Sequence, residues 1–401
     1  MDNITHALAG SLIAATAVAR VGRRGVSLSS RARTALFTVG VVTAELPDAD
    51  LLYAGQALGM GKLGYLLHHR GHTHTMLFAI AAALVVWWLV RRLVRELRSG
   101  PAHSALLTVA LAGTLSHLVL DFSNSYGIHP FWPADNRWFY GDAVFIVEPW
   151  LFVMAIPALV LLAERRLMRG ILLALLLAML GAAWFIGMVD RTVAVVLTAA
   201  APLWWFALAR APASRRAAYA LAAWVAVEVT FFTGSSLARS SVARAIGSDK
   251  LRDAALTPAI GNPFCYNALV VHVDGTTYRA TRAIVASAPS VVSVTRCIGG
   301  TERTAGAMEG ATHPAIRWGG TYSAPLAELR MLVNSNCEIA AAAQFVRVPT
   351  WLMRGDSIAF DDMRYSENGR GFAGIVAPAR PEACPKHVPG WIPPRQDLYG
   401  G

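Results

Sequence analysis

Eight apolar runs punctuated by arginine clusters occupy the first 238 residues of this chain, and they leave it little choice of fold. A helix that crosses a bilayer needs about 20 mostly apolar residues. Candidate runs lie at roughly 4–20, 34–53, 76–94, 104–122, 149–163, 170–188, 193–209 and 217–236. Backbone polar groups inside such runs find no water, so each run must satisfy its own hydrogen bonds as a helix. The connections alternate in charge. Arg20, Arg23, Arg24, Arg31 and Arg33 lie in the first connection, Arg91, Arg92, Arg95 and Arg98 in the third. Arg165, Arg166 and Arg169 follow in the fifth, Arg210, Arg215 and Arg216 in the seventh. The even connections carry only Lys62, Arg70, Arg137 and Arg191. By the positive-inside rule the odd connections are cytoplasmic and both termini extracytoplasmic. The N-terminus has no basic stretch and no evident cleavage site, so the first helix is expected to remain in the mature protein.

The remainder of the chain has a different character. Charged residues make up 15% of the 401 residues, against about 25% in soluble domains, and the deficit is concentrated in residues 1–238. Residues 239–401 read as an ordinary water-facing segment. The expected architecture is therefore a mainly α polytopic membrane domain of about eight transmembrane helices, residues 1–238, followed by a mainly β extracytoplasmic domain, residues 250–401. The net charge of +11 raises nucleic acid as a partner. In the membrane half that charge is a topology signal, and no nucleic-acid partner is expected. Within the C-terminal segment, Leu269–Val273 faces Thr276–Arg279 across Asp274-Gly275, a hairpin signal. Residues 290–297 and 343–348 also read as strands, and the Pro- and Gly-rich tail after Pro378 as a wrapping loop. The four cysteines, Cys265, Cys297, Cys337 and Cys384, all fall here. An even number on an extracytoplasmic domain predicts two disulfides in one of three connectivities; four buried free thiols are the alternative. No catalytic motif marks this domain, whose role is substrate capture, a lid or partner binding.

Histidine and aspartate recur at one end of the predicted helices. His6 precedes the first. Glu45-Leu46-Pro47-Asp48-Ala49-Asp50 closes the second, where Pro47 breaks the helix and the two aspartates stand two apart, aimed alike by extended backbone. His68-His69-Arg70-Gly71-His72-Thr73-His74 fills the second connection. His117 and Asp121 are four apart near the end of the fourth helix, hence on one face. The arginine-based topology places all of these on the outer side, together with Asn124, His129, Asp142 and Glu148. Imidazole and carboxylate together suit a borderline divalent ion. The blander readings are a buried His–Asp packing pair, an acidic helix-ending turn and a hydrophilic loop. Four clusters at one depth favour a metal site, because ionisable groups in a membrane domain are costly unless used. The aromatic stretch 123–148, with Tyr126, Phe131, Trp132, Trp138, Phe139 and Tyr140, reads first as an interfacial belt. Glu228 stands alone in the last run, as a functional carboxylate or one that snorkels to water.

Met1-Asp2-Asn3-Ile4-Thr5-His6-Ala7-Leu8, Leu46-Pro47-Asp48-Ala49-Asp50, His69-Arg70-Gly71-His72-Thr73-His74 and Ser116-His117-Leu118-Val119-Leu120-Asp121 with Tyr126-Gly127 carry a resemblance. Over about residues 1–160 the chain resembles the YdjM-type family of bacterial inner-membrane metal-dependent hydrolases. That family is in turn distantly similar to the zinc-dependent phospholipase C and single-strand nuclease superfamily. Thr75 stands where the pattern suggests Ser. The resemblance implies an inner-membrane location and a metal-dependent hydrolase. On that reading His6, Asp48, Asp50, His69, His72, His74, His117 and Asp121 are the metal ligands. Zinc is first choice and manganese second, and the surplus of ligands suggests more than one ion. Glu45 or Asp142 serves as general base and Arg70 as a clamp on phosphate or carboxylate. The expected substrate is a phosphoester or a membrane lipid or lipid-linked molecule at the outer leaflet. Two rivals are a metal carrier or transporter, disfavoured by cytoplasmic connections that contain almost only arginine, and a bis-His haem protein, disfavoured by the aspartates.

Overall fold

The computed structural model describes residues 1–55, 57, 59–298, 313–366 and 371–400. All eight apolar runs are helical: α1 (Asn3–Arg23), α2 (Ser30–Glu45), α4 (Met76–Leu93), α5 (Gly100–Phe122), α6 (Pro149–Leu162), α7 (Arg166–Phe185), α8 (Arg191–Arg210) and α9 (Ala213–Ile246). A short α3 (Gly61–His68) lies in the second connection. Six of these helices are long and apolar enough to cross a membrane, fewer than the eight expected. The shortfall falls on α2 and α6, with 16 and 14 residues. Pro47 turns the chain out of the α-helix, and a 3₁₀ segment, Leu46–Leu52, takes the rest of the second run. The sequence also supplies the starts: Asp2, Ser29 and Thr75 each cap a helix by accepting a backbone N–H with the side chain, the usual role of these residues.

Glycines decide how α1, α2 and α5 meet. A Cβ on Gly10 would collide with the Gly40 carbonyl, and one on Gly113 with the Thr43 side chain. The three backbones therefore approach closely, as small residues allow between membrane helices. Thr43 needs no partner across the contact, since its hydroxyl donates back to the Val39 carbonyl at 2.7 Å. This packing places the start of α1, the end of α2 and the end of α5 side by side.

The C-terminal region begins at β1 (Leu251–Ala259), paired antiparallel with β2 (Asn262–Asp274), which pairs with β3 (Thr277–Ala286). The β2–β3 turn is the expected Asp274-Gly275 hairpin, closed by the Asp274–Thr277 pair. After α10 (Val294–Ile298), β4 (Ile316–Pro325) completes a four-stranded sheet in the order β1-β2-β3-β4. Helices α11 (Leu326–Ser335) and α12 (Cys337–Ala343) lead to β5 (Pro349–Arg354), β6 (Ser357–Asp362) and β7 (Ile375–Pro378), a second antiparallel sheet. A short α13 (Gln396–Tyr399) follows. Two expected strands are absent. Residues 290–297 form a turn running into α10, where Cys297 is held to Cys265 of β2 by a disulfide. Residues 343–348 form the exit of α12, whose Ala-rich sequence favours helix, and the strand begins only at Pro349. The second disulfide, Cys337–Cys384, ties α12 to the tail, so the connectivity is the sequential one.

The sheet region is fastened to one end of the helices. Tyr266 Oη donates to the Phe231 carbonyl at 2.7 Å, and the Gly261 N–H donates to Glu148 at 3.1 Å. Trp391 from the tail donates its indole N–H to the Leu67 carbonyl at 2.7 Å. The same end carries the histidines and aspartates.

Candidate metal centre

Four donor atoms converge between α2, the 69–75 loop and α5. His74 Nε2 and His117 Nε2 lie 3.1 Å apart. Asp121 Oδ2 is 3.0 Å from the first and 3.4 Å from the second, and Asp48 Oδ1 is 3.4 and 3.5 Å from them. Neighbouring donors of an ion bound at about 2.0–2.1 Å in a tetrahedron stand about 3.3–3.4 Å apart, which is the spacing of this set. The side chains of His74, His117 and Asp121 are at most 1% exposed, and that of Asp48 is 11% exposed.

The tautomers suit ligation. His117 Nδ1 sits 2.5 Å from the Ala44 carbonyl oxygen, an acceptor only, so the proton belongs on Nδ1 and the Nε2 lone pair is free to point inward. His74 presents Nδ1 to Asp50 Oδ2 at 3.3 Å and to the Thr73 hydroxyl at 3.1 Å. Asp50 is held in turn. Its Oδ2 accepts from the Arg70 N–H at 2.9 Å and the Thr73 hydroxyl at 2.8 Å, while Oδ1 meets His69 Nδ1 at 3.0 Å. The Arg70 backbone takes φ +63° to make that contact, a left-handed conformation that a following glycine helps to accommodate. Burial alone would push the His74 imidazole down in pKa; hydrogen bonds to Asp121, Asp48 and Asp50 reverse this and hold it up at about 10. Burial would likewise raise Asp50, but its hydrogen bonds from His69 and His74 hold it well below the usual carboxylate range. Two arrays of side chains could hold a cation: Asp48, His74, His117 and Asp121, and Asp48, Asp50 and His69, with Asp48 in both.

His6 stacks on His117 with ring centroids 3.8 Å apart, and its Nε2 lies 3.3 Å from Asp121 Oδ1. Both of its ring nitrogens are buried without a hydrogen-bond partner, as is Asp121 Oδ2. Buried polar atoms are normally satisfied, so these unpartnered atoms fit a donor set that could hold a cation. Asp121 Oδ1 also receives Arg70 Nη2 at 2.9 Å and the Met1 amino group.

The expected site residues fall into three groups. His6, Asp48, Asp50, His69, His74, His117 and Asp121 come together. Glu45 stands at the edge, half-buried, with Oε2 accepting from Asn3 at 2.9 Å and Oε1 unpartnered. Arg70 is buried at the cluster, but its guanidinium is already engaged by Asp121 and by Asn124 Oδ1 at 2.9 Å. It neutralises a protein carboxylate rather than standing open as a clamp. His72 and Asp142 are elsewhere. The turn at 70–75 swings His72 away from His74 into an aromatic nest, 4.7 Å from the Trp132 ring and 4.8 Å from that of Trp391. Asp142 has both oxygens bound by Arg347, at 2.7 and 2.8 Å, with Arg239 on Oδ2 as well. A carboxylate so engaged is not available as a general base. His129 is not in either array: it stacks on Trp391 at 3.8 Å, with Nδ1 3.3 Å from the Arg70 carbonyl oxygen.

The sequence reading did not reach Thr73, which braces Asp50, or Trp391, which roofs the loop. The only hint of the second was an aromatic residue in a Pro- and Gly-rich tail. The arrangement defines a class: a helical membrane protein with a buried imidazole–carboxylate cluster at one end, closed by a disulfide-bonded sheet domain. Residues 1–192 match the family of YdjM inner membrane proteins. Among curated proteins, inner membrane protein YbcI of Escherichia coli (strain K12) is 32% identical over 126 residues, which is 30% of this chain. The match spans 63% of the length of that relative. No solved structure matches the chain.

Proposed function

We propose that the protein is a metal-dependent hydrolase of the inner membrane, acting on a phosphoester or lipid-linked substrate at the outer face. The observation that carries this reading is the convergence of two imidazole nitrogens and two carboxylate oxygens, with His117 locked in the ligating tautomer by Ala44. Asp48, His74, His117 and Asp121 would hold a divalent ion, which when bound would supply Lewis acidity and lower the pKa of a water beside the scissile group. Zinc suits this donor set, and manganese is the runner-up. Asp48 belongs to both candidate donor sets, so a second ion, if one binds, would be held by Asp48, Asp50 and His69. Asp50 aims His74 and His69 through hydrogen bonds, a supporting carboxylate of the kind that raises ligand basicity. Glu45, with one unpartnered oxygen at the edge of the cluster, is positioned to take a proton from the attacking water. Arg70 holds Asp121 in place against the electrostatic repulsion of Asp48. His6 stacks behind His117 and fixes its ring plane.

Elemental analysis of the purified protein beside Asp121→Ala tests the centre, with near-stoichiometric metal expected in the first and at most a trace in the second. Metal-loaded protein is then offered phospholipid and a soluble phosphodiester. Absence of bound metal sinks the whole reading. Bound metal with no cleavage of either substrate, or with Glu45→Gln and His117→Ala still active, sinks the hydrolase part alone.

A further inference from the structure

Apart from the metal cluster, the helical domain holds a second unusual feature. A groove of about 850 Å³ runs between α1, α5 and α9, walled by Ile13, Leu115, Val119, Trp224 and Phe232. Its volume is within the range of about 300–1,000 Å³ common for ligand sites. One ionisable residue lines it, Glu228. That side chain is 8% exposed, and Oε1 is buried with no hydrogen-bond partner, while Oε2 accepts from the Ser123 hydroxyl at 3.1 Å.

The groove has a direction. Ser123 caps the end of α5 that carries Asp121, so its bond to Glu228 sets that carboxyl level with the metal donors. Along α9 the polar lining residues, Glu228, Thr233 and Ser236, lie towards the end that meets the sheet domain; Leu221 and Trp224 lie deeper. On α1, Ala9 and Ile13 descend from His6 in the same sense. One end is therefore apolar, and the other is lined by the Glu228 carboxyl, level with the metal donors and with one oxygen lacking a hydrogen-bond partner. Val119, Val225 and Val229 on its rim are 52–58% exposed on helices whose composition faces lipid. A lone carboxyl in a transmembrane helix is retained at a cost and needs a partner.

We propose that this groove is a specific lipid site. It takes one acyl chain along Ile13, Leu115 and Trp224, and Glu228 receives a hydroxyl donor from the glycerol or head-group level of the same molecule. The inference depends on the helices spanning the membrane and not on hydrolysis.

The test uses the full-length protein in vesicles of phosphatidylethanolamine and phosphatidylglycerol, containing a phosphatidylglycerol with a photoreactive group in its acyl chain. After illumination, labelled peptides are mapped. Labels should concentrate on α5 and α9 peptides that contain Leu115, Val119 and Trp224. Val229→Trp, which fills the groove from its rim, should lower that labelling about tenfold, the scale of a changed fit in an apolar pocket. Glu228→Leu should lower it as well, and Glu228→Gln should retain most of it. Val85→Trp, on the exposed side of α4 away from the groove, should leave it as in the wild type. Labels spread evenly over all lipid-facing helices, or undiminished by Val229→Trp, would mean annular lipid only and would overturn the proposal. Groove labelling in a protein that cleaves no phosphoester would leave the lipid site standing while the hydrolase reading fell.

Discussion

Two buried clusters of charge lie at the junction of the helices and the sheet domain, and they are built on opposite plans. Around the candidate metal centre, Asp48, Asp50 and Asp121 face a single guanidinium, Arg70, and several histidines. Around Arg347, the carboxylates of Asp142, Asp253 and Asp362 face Arg347, Arg239, Arg395 and Arg364. In the second cluster bidentate pairs satisfy the oxygens, as guanidinium geometry allows. In the first, the partners are mostly imidazoles, and orphaned atoms remain. The comparison separates two meanings of a buried aspartate. Matched by several arginines, it fastens the sheet domain to the helices; set mainly among imidazoles, it belongs to a donor group that could hold a cation. Asp142 and Asp121 look alike in a sequence, and their partners distinguish them.

That contrast can be broken experimentally. The largest effect is expected from Arg347→Met, which removes the buried bidentate partner of Asp142 and Asp253 and leaves them to the more exposed Arg239 and to Arg395; the loss should cost up to about 3–5 kcal/mol. Thermal unfolding in detergent should show a large drop for Arg347→Met that added zinc does not restore. An Asp121→Asn protein should behave differently: bound metal should be lost, and the stabilisation by zinc expected of the wild type should vanish with it. If zinc rescued the arginine variant, the two clusters would not be independent. Gly113→Val should come next. The new methyls press on Thr43, and overpacking of this kind costs about 1–3 kcal/mol; metal content should fall because α2 and α5 part. Asp50→Asn should be milder, lowering metal affinity about 10–100-fold as loss of a supporting carboxylate does, with the fold intact by circular dichroism. A drop as deep as that of Asp121→Asn would make Asp50 a direct ligand.

A separate effect, read through pH and not through a lost partner, concerns Glu148, which lies in neither cluster and marks the boundary of the comparison. It accepts N–H bonds from Trp150 and Gly261, and burial pushes its pKa up to about 8 from an ordinary 4.5. A raised carboxyl pKa means that the fold favours the protonated form. That contribution to stability is full below about pH 4.5 and is lost as pH rises through about 8. The wild type should therefore lose stability between these limits, and Glu148→Gln should lose less of it. Identical pH profiles would show that water reaches the carboxyl.

The helices were legible because hydropathy is a local property, and every apolar run became one. The shared depth of His6, Asp48, His74 and His117 was legible too, since helix length and arginine position fix depth without tertiary knowledge. Where α2 would end was less so: hydropathy ran on past Pro47, whereas the backbone turned there. Side-chain direction within a turn was not available either. His72 shares the composition of its neighbours, and the left-handed Arg70 and the turn after it decide that it faces Trp391 and not the aspartates. The partner of Asp142 lies 205 positions along the chain, beyond any pattern in spacing. The short helix at Val294–Ile298 carries Cys297, whose disulfide partner Cys265 lies 32 positions away.

Trp391 closes over a loop that precedes it by 324 positions. On the ribosome, every donor of the cluster emerges and can enter the bilayer while that roof does not yet exist. Occupancy would then be settled by the ions present during synthesis rather than by later exchange. Radioactive zinc supplied during a pulse of translation should remain bound through a long chase with unlabelled zinc, and Trp391→Ala should let it escape.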